Sequence, residues 1–153
     1  MESNSDQMAQ LREADRAAAA PYLDYPPSPV WYPVATGAWF ALMLLAVSAL
    51  DDHRGWAIAA IVTLVAIEFA FIAWVRRSWG TWPRMAGAPA EITGAYRWYV
   101  VRLVALVLVV GVAGWLGGHW VAAGVAFVGT TALIWTYDRI YARAASLTRE
   151  RLA

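Results

Sequence analysis

Twenty consecutive residues, Trp56 to Val75 (WAIAAIVTLVAIEFAFIAWV), are nearly all apolar, with tryptophan near both ends and one carboxylate, Glu68, inside. As a helix, such a run rises about 30 Å, the thickness of a bilayer's hydrocarbon core. A segment of this kind makes lipid the expected solvent. The remaining segments are read accordingly.

Composition agrees. Of the 153 residues, 61% are hydrophobic, far above the usage of ordinary soluble domains. The net charge of +1 argues neither for nucleic acid nor for an acidic partner. With no cysteine, the chain has no disulfide, thiolate metal site or cysteine nucleophile. Lysine is absent as well, so all twelve basic residues are arginine. Together with the Ala, Gly and Pro content, this reflects a GC-rich coding genome rather than a function.

Taken in order, residues 1–33 form a polar N-terminal arm with a proline-rich connector. A helix is expected from about Asp6 to Ala20, stopped by Pro21. Its mixed charges suit a solvated, partly frayed arm, or a docking helix for a cytoplasmic partner. Residues 21–33 hold five prolines and should be extended, with Tyr22, Tyr25, Trp31 and Tyr32 as interfacial anchors. Pro26-Pro27-Ser28-Pro29 also has the form of a ligand for an aromatic groove. The transmembrane domain, 34–137, has spans at about 34–50, 56–75, 98–116 and 119–137. Val47-Ser48-Ala49 has the small residues of a signal-peptidase site, but the long acidic segment before it suits an uncleaved helix better. Ser78 to Tyr96 is rich in Gly, Pro and Trp and reads as an irregular loop hugging the interface, with room for a short surface helix. Gly117-Gly118 leaves almost no loop between the third and fourth spans, so these must be antiparallel neighbours. After Asp138 nothing breaks the helix, and the basic tail 138–153 should continue it.

Arginine sets the orientation. The arm, the long loop with its borders and the tail carry ten arginines, against Arg54 alone on the opposite side. Arginine-rich segments stay cytoplasmic, which places both termini inside the cell membrane. The tail arginines, Arg139 to Arg151, can rest on anionic lipid at the cytoplasmic face, at about 1 kcal/mol each.

Two charges fall within spans. Glu68 lies seven residues from the inner end of its helix, about 10 Å deep, and Arg102 about 6 Å deep on the third span. Those depths are within side-chain reach. The plain expectation is an interhelical ion pair, or Arg102 snorkelling to headgroups beside a protonated Glu68. The functional alternative is a carboxylate that binds a proton or cation, as a small proton-coupled carrier or channel requires.

Small residues mark the expected packing faces. Gly111, Gly114 and Gly118 share one side of the third helix, opposite Arg102, with Gly114 and Gly118 forming a GxxxG. Gly124, Thr131 and Asp138 recur every seven residues on the fourth helix. In lipid such residues let backbones approach closely. The contact lies within the third-to-fourth hairpin, or between copies or partner proteins.

Reaction chemistry is missing. There is no H-E-x-x-H, G-x-S-x-G, phosphate-cradling glycine loop or aspartate cluster. His53 and His119 fall on the outer side near Asp51 and Asp52, where a metal or proton site is conceivable. A helix-capping role for one of the aspartates is the simpler reading. No catalytic, metal or cofactor site is expected.

Tyr25 to Pro33, YPPSPVWYP, ahead of four apolar spans resembles the layout of small four-helix integral membrane proteins of GC-rich actinobacteria. That resemblance implies a fold and a membrane location, and no activity. Small multidrug-resistance carriers also have four helices, but they carry their carboxylate in the first span, where this chain has none. The expectation is an all-α, polytopic bundle of four antiparallel transmembrane helices. Its leading function is that of a non-enzymatic accessory, stabilising or regulatory subunit of a membrane assembly, with the carrier second.

Overall fold

The computed structural model describes residues 2–24, 28–79 and 87–152. Among these, all regular structure is helical: α1 (Glu2–Leu23), α2 (Tyr32–Ser48), α3 (Arg54–Trp79) and α4 (Ala90–Leu152). The last is two helices joined at Gly118, whose φ of 76° and ψ of −180° are open to glycine and not to residues with a Cβ. In a straight helix, Glu91 and Thr148 would stand about 86 Å apart. Instead the Thr148 hydroxyl donates to the Glu91 carboxylate at 3.3 Å. The chain therefore reverses at Gly118 into two antiparallel arms, 90–117 and 119–152. Tyr99 and Tyr137 meet across them with ring centroids 4.9 Å apart, and Leu106 lies against Gly129.

α2 lies along the α4 hairpin and α3 lies on α2; α3 makes no contact with α4. Pro33 sits in the first turn of α2, where its missing N–H would have had no helical acceptor. At the far end, Ala49 N–H donates to Leu45 and Leu50 N–H to Val47, turning the chain into α3. α2 and α3 run antiparallel. Tyr32 stacks on Phe71 with centroids 5.7 Å apart, and the Trp39 indole donates to the Leu64 carbonyl at 3.0 Å.

Side-chain size is sorted the opposite way from a water-soluble core. Nine of the fourteen buried apolar residues are alanine. The large apolar side chains point outward, including Trp115 (84% exposed), Leu116 (73%) and Phe69 (68%). Two segments, Arg54–Ser78 and Ala90–Leu152, are long and apolar enough to cross a membrane, and in α3 only 6% of the most apolar window is buried. α2 is apolar but shorter, at 17 residues.

Several expectations change. α1 does not stop at Ala20. It runs through Pro21 to Leu23, because a proline this close to the end removes a single helical hydrogen bond and Asp24 N–H still reaches the Ala20 carbonyl at 3.0 Å. The long loop is shorter than expected, since α3 extends to Trp79 and α4 begins at Ala90, with Glu91 in the first turn where the helix dipole favours an acid. α3 begins at Arg54, so His53 occupies its N-cap position, and neither Asp51 nor Asp52 makes a capping bond to it. Of the stretch expected to be extended, residues 30–31 form a turn with the Tyr32 N–H on the Pro29 carbonyl at 2.9 Å, and Tyr32 and Pro33 already belong to α2; Tyr25 to Pro27, and the loop reading of 80–86, lie outside the described residues.

The glycines also sort differently. Gly111 and Gly124 are exposed with nothing within 4 Å of an added Cβ, so neither packs a helix. Gly118 makes the turn, and Gly114 meets Ala122 alone, at 3.4 Å. The close approach is at Gly37, where an added Cβ would fall 2.6 Å from the Phe127 carbonyl oxygen and against the Thr131 hydroxyl. Backbone cannot yield there as a side-chain tip can. Gly37→Ala should therefore lower stability in mild detergent by about 1–3 kcal/mol, the usual range for overpacking. Gly111→Ala and Gly124→Ala should be neutral, or stabilising by up to about 1 kcal/mol through helix propensity. Thermal loss of helical circular dichroism distinguishes the two classes.

Candidate functional site

The most tightly packed cluster lies where the two chain ends meet. Tyr22, Ile92, Ala95, Ala144 and Ala145 are buried together, with Leu23, Tyr137, Ile140 and Tyr141 around them. Ile92, Ala95 and Tyr99 fall on one stripe of the first arm of α4; Tyr137, Tyr141, Ala144 and Thr148 fall on one stripe of the second. The reversal at Gly118 turns these stripes toward each other, and the end of α1 closes over them.

Polar bonds fasten this clamp. The last carbonyls of α1 have no helical partners and take donors from the tail instead. The Tyr141 hydroxyl donates to Tyr22 O at 2.8 Å, and the Arg149 guanidinium to Leu23 O. Arg16 Nε donates to Leu152 O at 2.7 Å, tying α1 to the end of α4. Glu91 accepts from Arg151 Nε at 3.0 Å and from the Thr148 hydroxyl. Its own backbone N–H at the open helix start holds the Glu91 carboxyl below the usual carboxylate range, with Arg151 and Thr148 adding to this and burial opposing it. Asp138 behaves oppositely: burial pushes its carboxyl up, against a hydrogen bond from the Ser28 hydroxyl at 3.2 Å.

This clamp differs from the sequence expectation, in which the arm is solvated or docks on a cytoplasmic partner and the tail rests on lipid. The apolar stripes at helical spacing were its visible signal. Arg149 and Arg151 are engaged within the chain, while Arg139 covers the Trp135 ring at 4.7 Å.

The two charges within the apolar segments are not brought together. Glu68 is exposed on α3, and no ion pair to it occurs among the described residues. Arg102 is exposed on the first arm, its guanidinium 5.0 Å from the centre of the Trp98 ring one turn earlier. The expected interhelical pair does not form because α3 rests on α2 and never reaches α4. Thr131 does reach α2, against Gly37.

Between α2 and the α4 arms runs an apolar groove of about 310 Å³, lined by residues that include Phe40, Met43, Leu103, Leu106 and Thr130. It offers one hydroxyl and no acid or base. His53 and His119 are exposed, and among the described residues no three acid or histidine side chains stand close enough to hold a metal ion.

Acid should open the clamp. The lowered Glu91 contributes stability that is fully present above its ordinary pKa and is lost as pH falls through the depressed one. An exposed pair of this kind contributes about 0.2–1 kcal/mol. Glu91→Gln should therefore weaken amide-exchange protection over the last turns of α4, around Thr148 and Arg151, at pH 7, and should abolish the further loss there that the natural chain shows on acidification below the ordinary glutamate range.

No known protein family, curated protein or solved structure matches this chain.

Proposed function

We propose that the protein is a small, non-enzymatic integral membrane protein that serves as an accessory or stabilising subunit of a membrane assembly. One observation carries the reading: α3 is long, apolar and almost wholly uncovered by the rest of the chain. A core helix of a soluble protein would be buried. Here the surface turned outward is hydrocarbon-like, and most of the apolar residues buried within the chain are alanine, with close approach at Gly37 and Thr131, as helix packing in lipid favours.

In this reading the chain crosses four times, through α2, α3 and the two arms of α4. α2 is about 25 Å long, short for a core of about 30 Å, and the interfacial residues around Pro29 to Tyr32 extend it. The arginine bias keeps both termini, and hence the clamp, on the cytoplasmic side. Trp115, Trp120 and Trp56, all exposed, mark the outer interface. Exposed Arg139 and Arg143 face anionic headgroups.

An accessory role fits a chain whose groove is apolar and whose ends are fastened to each other. The carrier reading needs a water-accessible route to Glu68, and the groove between α2 and α4 does not include it.

The absence of cysteine makes the topology directly readable. Asp52→Cys should react with a membrane-impermeant maleimide on intact cells, and Ser146→Cys only after permeabilisation; the reverse pattern overturns the orientation. Purified protein in liposomes should carry no proton flux under an imposed gradient. A flux abolished by Glu68→Gln would establish the carrier instead.

A further inference from the structure

Glu68 and Arg102 lie at the same depth but on different edges of the chain. Tyr32 stacked on Phe71 and Trp39 bonded to Leu64 put Glu68 level with residue 35 of α2. Gly37 packed on Phe127 and Thr131, with Gly129 under Leu106, puts residue 37 level with residue 106 and residue 35 with residue 104. Arg102 is two residues away, about 3 Å along the axis. Laterally the two are apart. α3 touches α2 alone, and Arg102 is exposed about 90° around its helix from the middle of the residues that line the α2 groove, Leu103, Leu106, Val107 and Val110.

An unpaired charge in hydrocarbon is costly, and an opposite charge with hydrogen-bonding capacity is its natural remedy. The packing within one chain keeps these two apart. A second copy need not, because rotation about an axis along the membrane normal leaves every residue's depth unchanged. We propose that the chain associates with copies of itself edge to edge, Glu68 on α3 of one copy pairing with Arg102 on the first arm of α4 of the next. The contact is heterologous, an acidic edge against a basic one. Trp98, stacked under the guanidinium, holds the cation at the rim of its edge. Around the charges both edges present exposed apolar side chains, among them Phe69 and Ile72 on one and Val101 and Val109 on the other.

The inference rests on the membrane reading, and its test separates the two. Val65 and Ala105 each lie three residues from a charge, toward the same end of the bundle. The full-length chain carrying Val65→Cys and Ala105→Cys should, on oxidation in native membranes, form covalent dimers and larger species. Adding Glu68→Arg should remove them by setting two cations against each other. Combining Glu68→Arg with Arg102→Glu should bring them back, which also guards against a single variant that merely misfolds. Monomers alone, or links that persist undiminished with Glu68→Arg, overturn the pairing. Carbonate washing of the same membranes provides the control: a retained monomer overturns the pairing alone, and a protein released by carbonate overturns the membrane reading with it.

Discussion

The reversal at Gly118 is the constraint on which the rest depends. A φ of 76° with extended ψ is available to glycine at little cost and to other residues only with strain. Without it, 63 residues of continuous helix would carry Ala90 and Leu152 about 93 Å apart. With it, the two arms lie side by side, the stripes holding Ile92 and Ala144 face each other, and a surface exists for α2. Gly117, just before the turn, is already crowded by Val121. The turn is thus tight on one side and left-handed on the other.

Two kinds of cohesion follow along the length of the bundle. In its middle, contact is made by small residues and depends on approach distance, as at Gly37 over Phe127 and Gly129 under Leu106. In the proposed membrane setting, apolar burial contributes little to choosing such a contact, because hydrocarbon lies on either side of the choice. At the clamp, contact is made by donors and acceptors whose alternative is water, and by Tyr22 and Ile92 leaving it. That end would hold α1 even if the spans loosened. It couples the first and last helices of the chain, the pair most separated in sequence.

The all-helical fold and the hairpin were legible because apolar length and glycine pairs are local signals. The continuation of the helix through Asp138 to Leu152 was legible for the same reason. The choice of packing face was not. A helical wheel identifies residues that share a side, as it does for Gly111 and Gly114, but it does not say which side meets a neighbour. In an apolar helix the hydrophobic pattern that would decide this in water is silent. So Gly37, with one small residue and no motif, carries the α2–α4 approach, while Gly111 and Gly124 carry none. The clamp was missed for a different reason. Its stripes are separated by some fifty residues, and an alanine-rich arm and an arginine-rich tail read individually as surface. Glu68 and Arg102 fall at similar heights along the bundle, and height says nothing about whether two helices are neighbours.

α3 gives the structure its incompleteness. It is held by one neighbour, through the Trp39 indole bonded to a helix carbonyl and through rings at Tyr32 and Phe71. The Leu64 carbonyl is also the helical acceptor for the Glu68 N–H, so the indole shares it. A helix fastened at two points along one stripe and bare elsewhere keeps most of its surface for another contact. Glu68 lies about 40° to 60° around the helix from Leu64 and Phe71, beside the contact with α2, and is exposed. α2 carries no basic residue to answer it. The bundle therefore satisfies its size constraints within one chain and leaves its charge constraint open at the edge.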